Sequence, residues 1–81
     1  LSQQKRRNLL RRTALSDRMA ILTARERDVL ECMLGGRSNK LIADELAISV
    51  KTVEQHRAKV MEKMRASSVA ELVQAVEWLR R

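Results

Sequence analysis

No proline occurs anywhere in the chain, and its only two glycines are adjacent, at Gly35-Gly36. Nothing therefore forces a helix to break, while Ala, Leu, Lys, Arg, Glu and Met, all good helix formers, are abundant. The expectation is an all-α fold whose helix ends are set by Ser, Thr and the single glycine pair.

At 81 residues only one small domain fits. A chain of this size buries only about 60% of its unfolded surface, too little to wall off a deep catalytic cleft. No nucleophile, base and orienting group come together in any motif, so no catalytic residue and no cofactor is expected. The single Cys32 cannot form an internal disulfide, which points to the cytoplasm, and its place beside an apolar face reads as a small buried hydrophobe. No His or second Cys stands near it, so no metal site is expected. No apolar run approaches the roughly 18 residues of a membrane span. The chain begins at Leu1 rather than Met and is read as a piece of a longer protein. Its 17 Lys and Arg against 10 Asp and Glu give a net charge of +7, which suits nucleic acid, an anionic surface or an acidic partner.

The charge is uneven. Between Leu1 and Ala20, Lys5, Arg6, Arg7, Arg11, Arg12 and Arg18 face Asp17 alone, a balance of 6 − 1 = +5. The apolar residues Leu9, Leu10, Ala14 and Leu15 do not complete a helical stripe there. Residues 1–21 are read as a solvated helical linker or arm that docks on something outside this chain, and residues 22–81 as the folded domain. In that domain Thr23 and Glu26 have capping-box spacing and open a helix from Ala24 to Leu34, with Val29, Leu30, Met33 and Leu34 inward and Gly35 or Gly36 ending it in a left-handed conformation. Ser38 caps a short helix, Asn39 to Leu46, whose inward face is Ile42, Ala43 and Leu46. Ser49 opens a third from Val50 to about Met64, with an Ile48–Val53 staple. Ser68, with Glu71 in capping-box position, starts the fourth, carrying Leu72, Val73, Val76 and Leu79.

Only Ala47-Ile48-Ser49 separates the short helix from the long one after it, the arrangement of a helix-turn-helix. Advancing about 100° per residue from Val53 puts Val60 and Met64 on one side of the long helix, flanked by Arg57 and Met61. Glu54, Gln55, Ala58, Lys59 and Glu62 fall on the other side. Gln55 suits adenine, Glu54 the cytosine amino group and Lys59 guanine or phosphate, while Ala58 leaves room for a thymine methyl. Asn39, Lys40, Lys51 and Thr52 combine donors with helix N-termini, where phosphate oxygens bind. A plain solvated face would look much the same.

The run Leu22-Thr23-Ala24-Arg25-Glu26-Arg27, Gly36, Asn39-Lys40, Ile42-Ala43, Ile48-Ser49, Thr52-Val53-Glu54, His56-Arg57, Val60-Met61 and Lys63-Met64 resembles the LuxR-type helix-turn-helix domain, in the spelling of the FixJ-like branch of response regulators. The resemblance covers about Leu22 to Leu79. It implies a four-helix DNA-binding output domain of a two-component regulator that reads a two-fold related site on double-stranded DNA as a homodimer. The preceding receiver domain would carry the phosphoacceptor Asp, and RNA polymerase would be a further partner. By position it places base contacts on Glu54, Gln55, Ala58 and Lys59, backbone contacts on Asn39, Lys40, Lys51 and Thr52, and the dimer contact on the fourth helix, at Gln74 and Trp78.

Several residues allow other readings. His56, at the margin of the buried face, suits packing or a phosphate contact. Arg57 could pair with Glu26 or another first-helix carboxylate. Trp78 lies off its helix's apolar stripe, with Gln74 and Glu71, which suits either an interface or a Trp folded over the core edge. Ala47, where many helix-turn-helix units have Gly, asks for a slightly different turn. The competing functions are a small basic helical protein-interaction module, a quorum-sensing regulator and a sigma-factor recognition domain.

Overall fold

The computed structural model describes residues 2–81; Leu1, the first residue of the expected linker, lies outside the described residues. The described residues form helices and no strand: α1 Gln3–Ala20, α2 Ala24–Leu34, α3 Asn39–Leu46, α4 Val50–Lys63 and α5 Val69–Leu79. Each helix begins at a Ser or Thr. The side chains of Ser2, Thr23, Ser38, Ser49 and Ser68 accept a hydrogen bond from the amide three residues on, so one otherwise unpaired N–H is satisfied per helix. At Thr23 the box is complete, because Glu26 accepts in return from the Thr23 amide at 2.9 Å. At Ser68 only half of it forms, the Glu71 amide donating to the Ser68 hydroxyl at 3.1 Å.

Three helix ends share one geometry. After α2, α3 and α4 the chain turns through left-handed residues, Gly36 at φ 74°, Ala47 at φ 55° and Arg65 at φ 54°. In each case the next amide reaches back five residues: Arg37 to the Cys32 carbonyl, Ile48 to Ala43 and Ala66 to Met61. This is the Schellman pattern, which satisfies the last carbonyls of the helix. Only the first of the three uses glycine. The expectation of a different turn at Ala47 is thus corrected: alanine takes the conformation glycine would take, at a steric cost of about 1–2 kcal/mol.

The core lies between α2, α3, α4 and α5. Val29, Leu30, Ile42, Val53, Val60, Leu72 and Val76 are essentially fully buried. An eight-residue α3 could not persist alone, so burial of its Ile42 and Ala43 under α4 holds it in place. Glu26 is also buried, at 5% exposure. Its carboxylate meets the Lys63 ammonium at 2.6 Å, and Lys63 also donates to the Ile21 carbonyl at 3.4 Å. The expected partner, Arg57, is half-buried elsewhere and has no ion pair among the described residues. Lys63 takes the role because it sits at the end of α4, where the α1–α2 connection passes.

The N-terminal half of α1 is solvated, but its C-terminal half docks within this chain, which corrects the expectation of a partner outside it. Leu15 is buried, Arg12 donates to the Leu79 carbonyl at the end of α5, and Arg27 of α2 caps the Met19 carbonyl at 2.7 Å. The density of basic residues along α1 hid this dock, since only Leu15, which is buried, and Met19, half-buried against the core, make its apolar contacts.

Two outcomes follow. Ala47→Gly relieves the left-handed strain at an exposed residue and is expected to raise stability by about 0.5–1 kcal/mol net of added chain entropy, read as a higher urea midpoint. The Lys63 hydrogen bond, followed by that of the Thr23 amide, holds the Glu26 carboxyl below its usual 4.5. That stabilisation is complete above 4.5 and is lost as pH falls through the lowered value. Lys63→Met should cost about 3 kcal/mol at neutral pH by leaving a buried charge unpaired. It should also weaken the acid dependence of the urea midpoint, and equal slopes in both proteins would count against the assignment.

Candidate nucleic-acid interface

α4 is held from three sides. Val53, Val60 and Met64 point into the core, Ser49 caps its first turn, and Lys63 pins its last turn to α2 and to the end of α1. The opposite face is left to solvent. Glu54, Gln55, Ala58, Lys59 and Glu62 are all exposed, as the helical period requires when the core face is filled. Lys59 lies 3.7 Å from Glu62, a loose surface pair that water and salt weaken readily. The side chains of Glu54 and Gln55 have no hydrogen-bond partner among the described residues, so their donors and acceptors are available.

The starts of α3 and α4 supply a second set of groups. Ser38 and Ser49 each occupy the third amide of their helix, on Leu41 and Thr52. The amides before these, on Asn39 and Lys40 and on Val50 and Lys51, have no protein acceptor among the described residues. They project at the positive ends of the helix dipoles. The Lys40 and Lys51 side chains are exposed beside them, while Asn39 and Thr52 are half-buried. The Thr52 hydroxyl lies 2.8 Å from that of Ser49, which orients it toward the cap. Every residue expected to touch bases therefore lies on one face of α4, and every residue expected to touch phosphate lies at one of two helix starts. An anionic backbone lying along α4 and across both starts would meet cations and free N–H groups together.

The α2–α3 connection is stiffened nearby. Arg37 pairs with Glu45 at 2.7 Å, and the Cys32 thiol donates to the same carboxylate at 3.7 Å. Burial, reinforced by the negative charge of Glu45, pushes the Cys32 thiol up, so Cys32 is a packed hydrophobe rather than a nucleophile. Arg80 meets Glu31 through two bonds of 2.8 Å, which hold Glu31 below the usual carboxylate range and tie α5 to α2. Sequence reasoning missed the Glu26–Lys63 anchor. A signal was present: Glu26 stands three, four and seven residues before Val29, Leu30 and Met33, on the same apolar face, where a carboxylate requires a cation.

Gln74 and Trp78 are one turn apart on α5. Gln74 is exposed, whereas Trp78 is half-buried under two guanidinium groups of α1, Arg11 at 4.1 Å and Arg12 at 5.0 Å from the ring centre. His56 and Arg57 are both half-buried at the edge of the core face of α4. Among the described residues no group of three or more His, Cys, Asp or Glu is placed to hold a metal ion, and no helix is long and apolar enough to cross a membrane.

Comparison with known proteins bears on this geometry. Residues 20–76 match the family described as bacterial regulatory proteins, luxR family. The transcriptional regulatory protein FixJ of Azorhizobium caulinodans is 53% identical over 62 residues, 76% of this chain and 29% of that protein. The response regulator protein TodT of Pseudomonas putida is 41% identical over 80 residues, 99% of this chain and 35% of that protein. The crystal structure of full-length FixJ from B. japonicum superposes with a TM-score of 0.86 at 40% identity, covering 96% of this chain and 38% of that one, a span that takes in α1. The chain thus spans about a third of the length of the relatives it matches. With that family match laid over α2 to α5, and an exposed polar face on a pinned second helix, the chain belongs to the luxR family of bacterial regulatory proteins as a LuxR-type helix-turn-helix domain.

Proposed function

We propose that this chain is the DNA-binding output domain of a two-component response regulator, laying α4 in the major groove of a two-fold related site as a homodimer. The observation that carries the reading is the division of α4 into a buried aliphatic side and an exposed side bearing Glu54, Gln55, Ala58 and Lys59. A groove-reading helix needs both: rigidity behind and unpaired hydrogen-bonding groups in front. Gln55 offers a bidentate match to adenine, Glu54 an acceptor for the cytosine amino group, and Lys59 a donor to guanine. Ala58 keeps the backbone close enough for contact with a thymine methyl. Asn39, Lys40, Lys51 and Thr52 hold phosphates and set the register. A receiver domain would precede α1 in the longer protein, pairing of copies would use α5 at Gln74 and Trp78, and the setting would be the cytoplasm, with RNA polymerase as a further partner. The segment from 37 to 65 holds seven basic and four acidic residues, net +3. Affinity would therefore rest on a few well-placed cations rather than on bulk charge.

Selection of bound sites from random duplexes, followed by titration at several salt concentrations, tests the reading. The selected sites should show half-sites about one helical turn, roughly 34 Å, apart. Gln55→Ala should cost about 1–3 kcal/mol on the preferred site and relax choice at one base position. Lys51→Ala should weaken all sequences alike and reduce the slope of log affinity against log salt by about 0.9. Binding that ignored both salt and sequence would overturn it. Capture by an acidic protein without retention on DNA would favour a basic interaction module instead.

A further inference from the structure

A groove of about 370 Å³ runs between the second half of α1, the turn after α4 and the first half of α5. That is near the lower end of the sizes in which proteins hold small molecules. Leu15, Met64 and Leu72, all buried, form its floor, and Arg11, Arg18 and Arg65 stand along it. A second hollow of about 320 Å³ adjoins it and is lined by Ala14, Asp17, Arg18, Ile21 and Arg65. Two guanidinium groups from distant parts of the chain, those of Arg18 and Arg65, therefore border both.

Neither of these two has a hydrogen bond or ion pair from its side chain among the described residues. Arg18 is half-buried in the last turn of α1, where a cation ordinarily reaches a terminal carbonyl, but the Met19 carbonyl is taken by Arg27. Arg65 holds left-handed backbone at φ 54°. The bond from the Ala66 amide to the Met61 carbonyl accounts for the turn but not for an arginine in it, since glycine would make the same bond without strain. An exposed arginine kept where glycine is favoured, a half-buried arginine with nothing to bond and an aliphatic floor beneath both suit an anion that carries an apolar body.

The lining also limits the charge of such a guest. Asp17 and Glu71 stand among Arg11, Arg18 and Arg65, so three positive charges face two negative ones, a net +1. Arg11 is moreover held over the Trp78 ring at 4.1 Å. A single negative charge is matched here and a second would meet the carboxylates. A DNA duplex fits poorly, because it is convex and its phosphates carry no hydrocarbon to cover the floor.

We propose that the seam of α1, α5 and the turn after α4 binds a small organic monoanion, a carboxylate on an aromatic or aliphatic body. The carboxylate would lie between Arg18 and Arg65 and the body over Leu15, Met64 and Leu72. Occupancy would tie the end of α1 to the turn that follows α4 and stiffen that joint. None of this rests on how α4 meets DNA.

The probe is benzoate, with benzyl alcohol as a similar body without the charge and acetate as the charge without the body. Each is titrated into the 81-residue chain and followed by NMR shifts of the backbone amides. Benzoate should saturate with a Kd of about 1 mM or tighter, moving the amides of Leu15, Arg65 and Leu72, and both controls should bind at least about tenfold more weakly. Arg18→Gln and Arg65→Gly should each loosen benzoate by about tenfold, the scale of one charge-assisted hydrogen bond. Arg65→Gly should at the same time raise the thermal midpoint, which separates loss of the site from loss of the fold. Isophthalate, a dianion on the same ring, should bind less tightly than benzoate and gain on it in Glu71→Gln. Benzoate that fails to saturate by about 20 mM, or that binds both variants as well as the native chain, overturns the site. Benzyl alcohol binding as tightly would leave an apolar groove only, and acetate binding as tightly an adventitious ion only; either result overturns it. Isophthalate that matches benzoate overturns the single-charge assignment. Duplex DNA that moves the same amides, with both variants weakening DNA alone, overturns the proposal in favour of a phosphate contact.

Discussion

The arrangement of this domain depends on one buried charge. Glu26 has nearly no contact with water, and an ionised carboxylate in such a place persists only if it is paired and hydrogen-bonded. It accepts from the Thr23 amide and from Lys63, and Lys63 shares its protons with the Ile21 carbonyl. Three parts of the chain are thus joined at this ion pair: the first turn of α2, the last turn of α4 and the loop between α1 and α2. Because the penalty for separating the two ions exceeds the cost of small packing adjustments, α4 cannot rotate about its axis without breaking the pair. The outward orientation of Glu54, Gln55, Ala58 and Lys59 is fixed by that constraint together with Val53 and Val60. Neither contact alone would do so, since aliphatic packing tolerates sliding and an ion pair tolerates rocking.

What could be read from the sequence was what is local. The starts of α2, α3, α4 and α5 follow from Thr23, Ser38, Ser49 and Ser68, each bonded to an amide three residues on, an interaction contained in four residues. The buried side of α4 follows from helical period alone, and with it the exposed Glu54, Gln55, Ala58 and Lys59. The contacts that were not legible join distant residues: Arg12 to Leu79 across 67 positions, Arg80 to Glu31 across 49 and Lys63 to Glu26 across 37. A basic residue on a helix has no sequence mark that tells a solvated head group from one committed to a carbonyl on another element. Arg57 and Lys63 show the difficulty. Both are cations at the edge of the core face of α4, and only the path of the α1–α2 connection decides which of them meets Glu26.

The left-handed turns show the limit from the other side. Glycine marks the end of α2, and the turn was legible there. Ala47 and Arg65 adopt the same backbone conformation without the residue that usually announces it, because the Ile48 and Ala66 amides gain their bonds to Ala43 and Met61 and both side chains pack on the core. Tertiary gain outweighs local strain at these two positions.

The docking of α1 sits between these cases and explains why an arm can belong to a domain without being fixed in it. The core from α2 to α5 holds several fully buried aliphatic side chains, two multi-bonded ion pairs and satisfied helix ends, so local opening there approaches the cost of global unfolding. The α1 dock holds one buried leucine, the half-buried Met19 against the core, two guanidinium–indole contacts, and bonds to the carbonyls of Leu79 and Met19. Opening that seam costs far less, yet it leaves the Glu26–Lys63 anchor in place, because Lys63 lies on the α2–α4 side of the joint. The chain is therefore stiff around α4 and softer along α1. The polarity of that gradient follows from where the apolar residues fall: dense and periodic after Leu22, sparse before it.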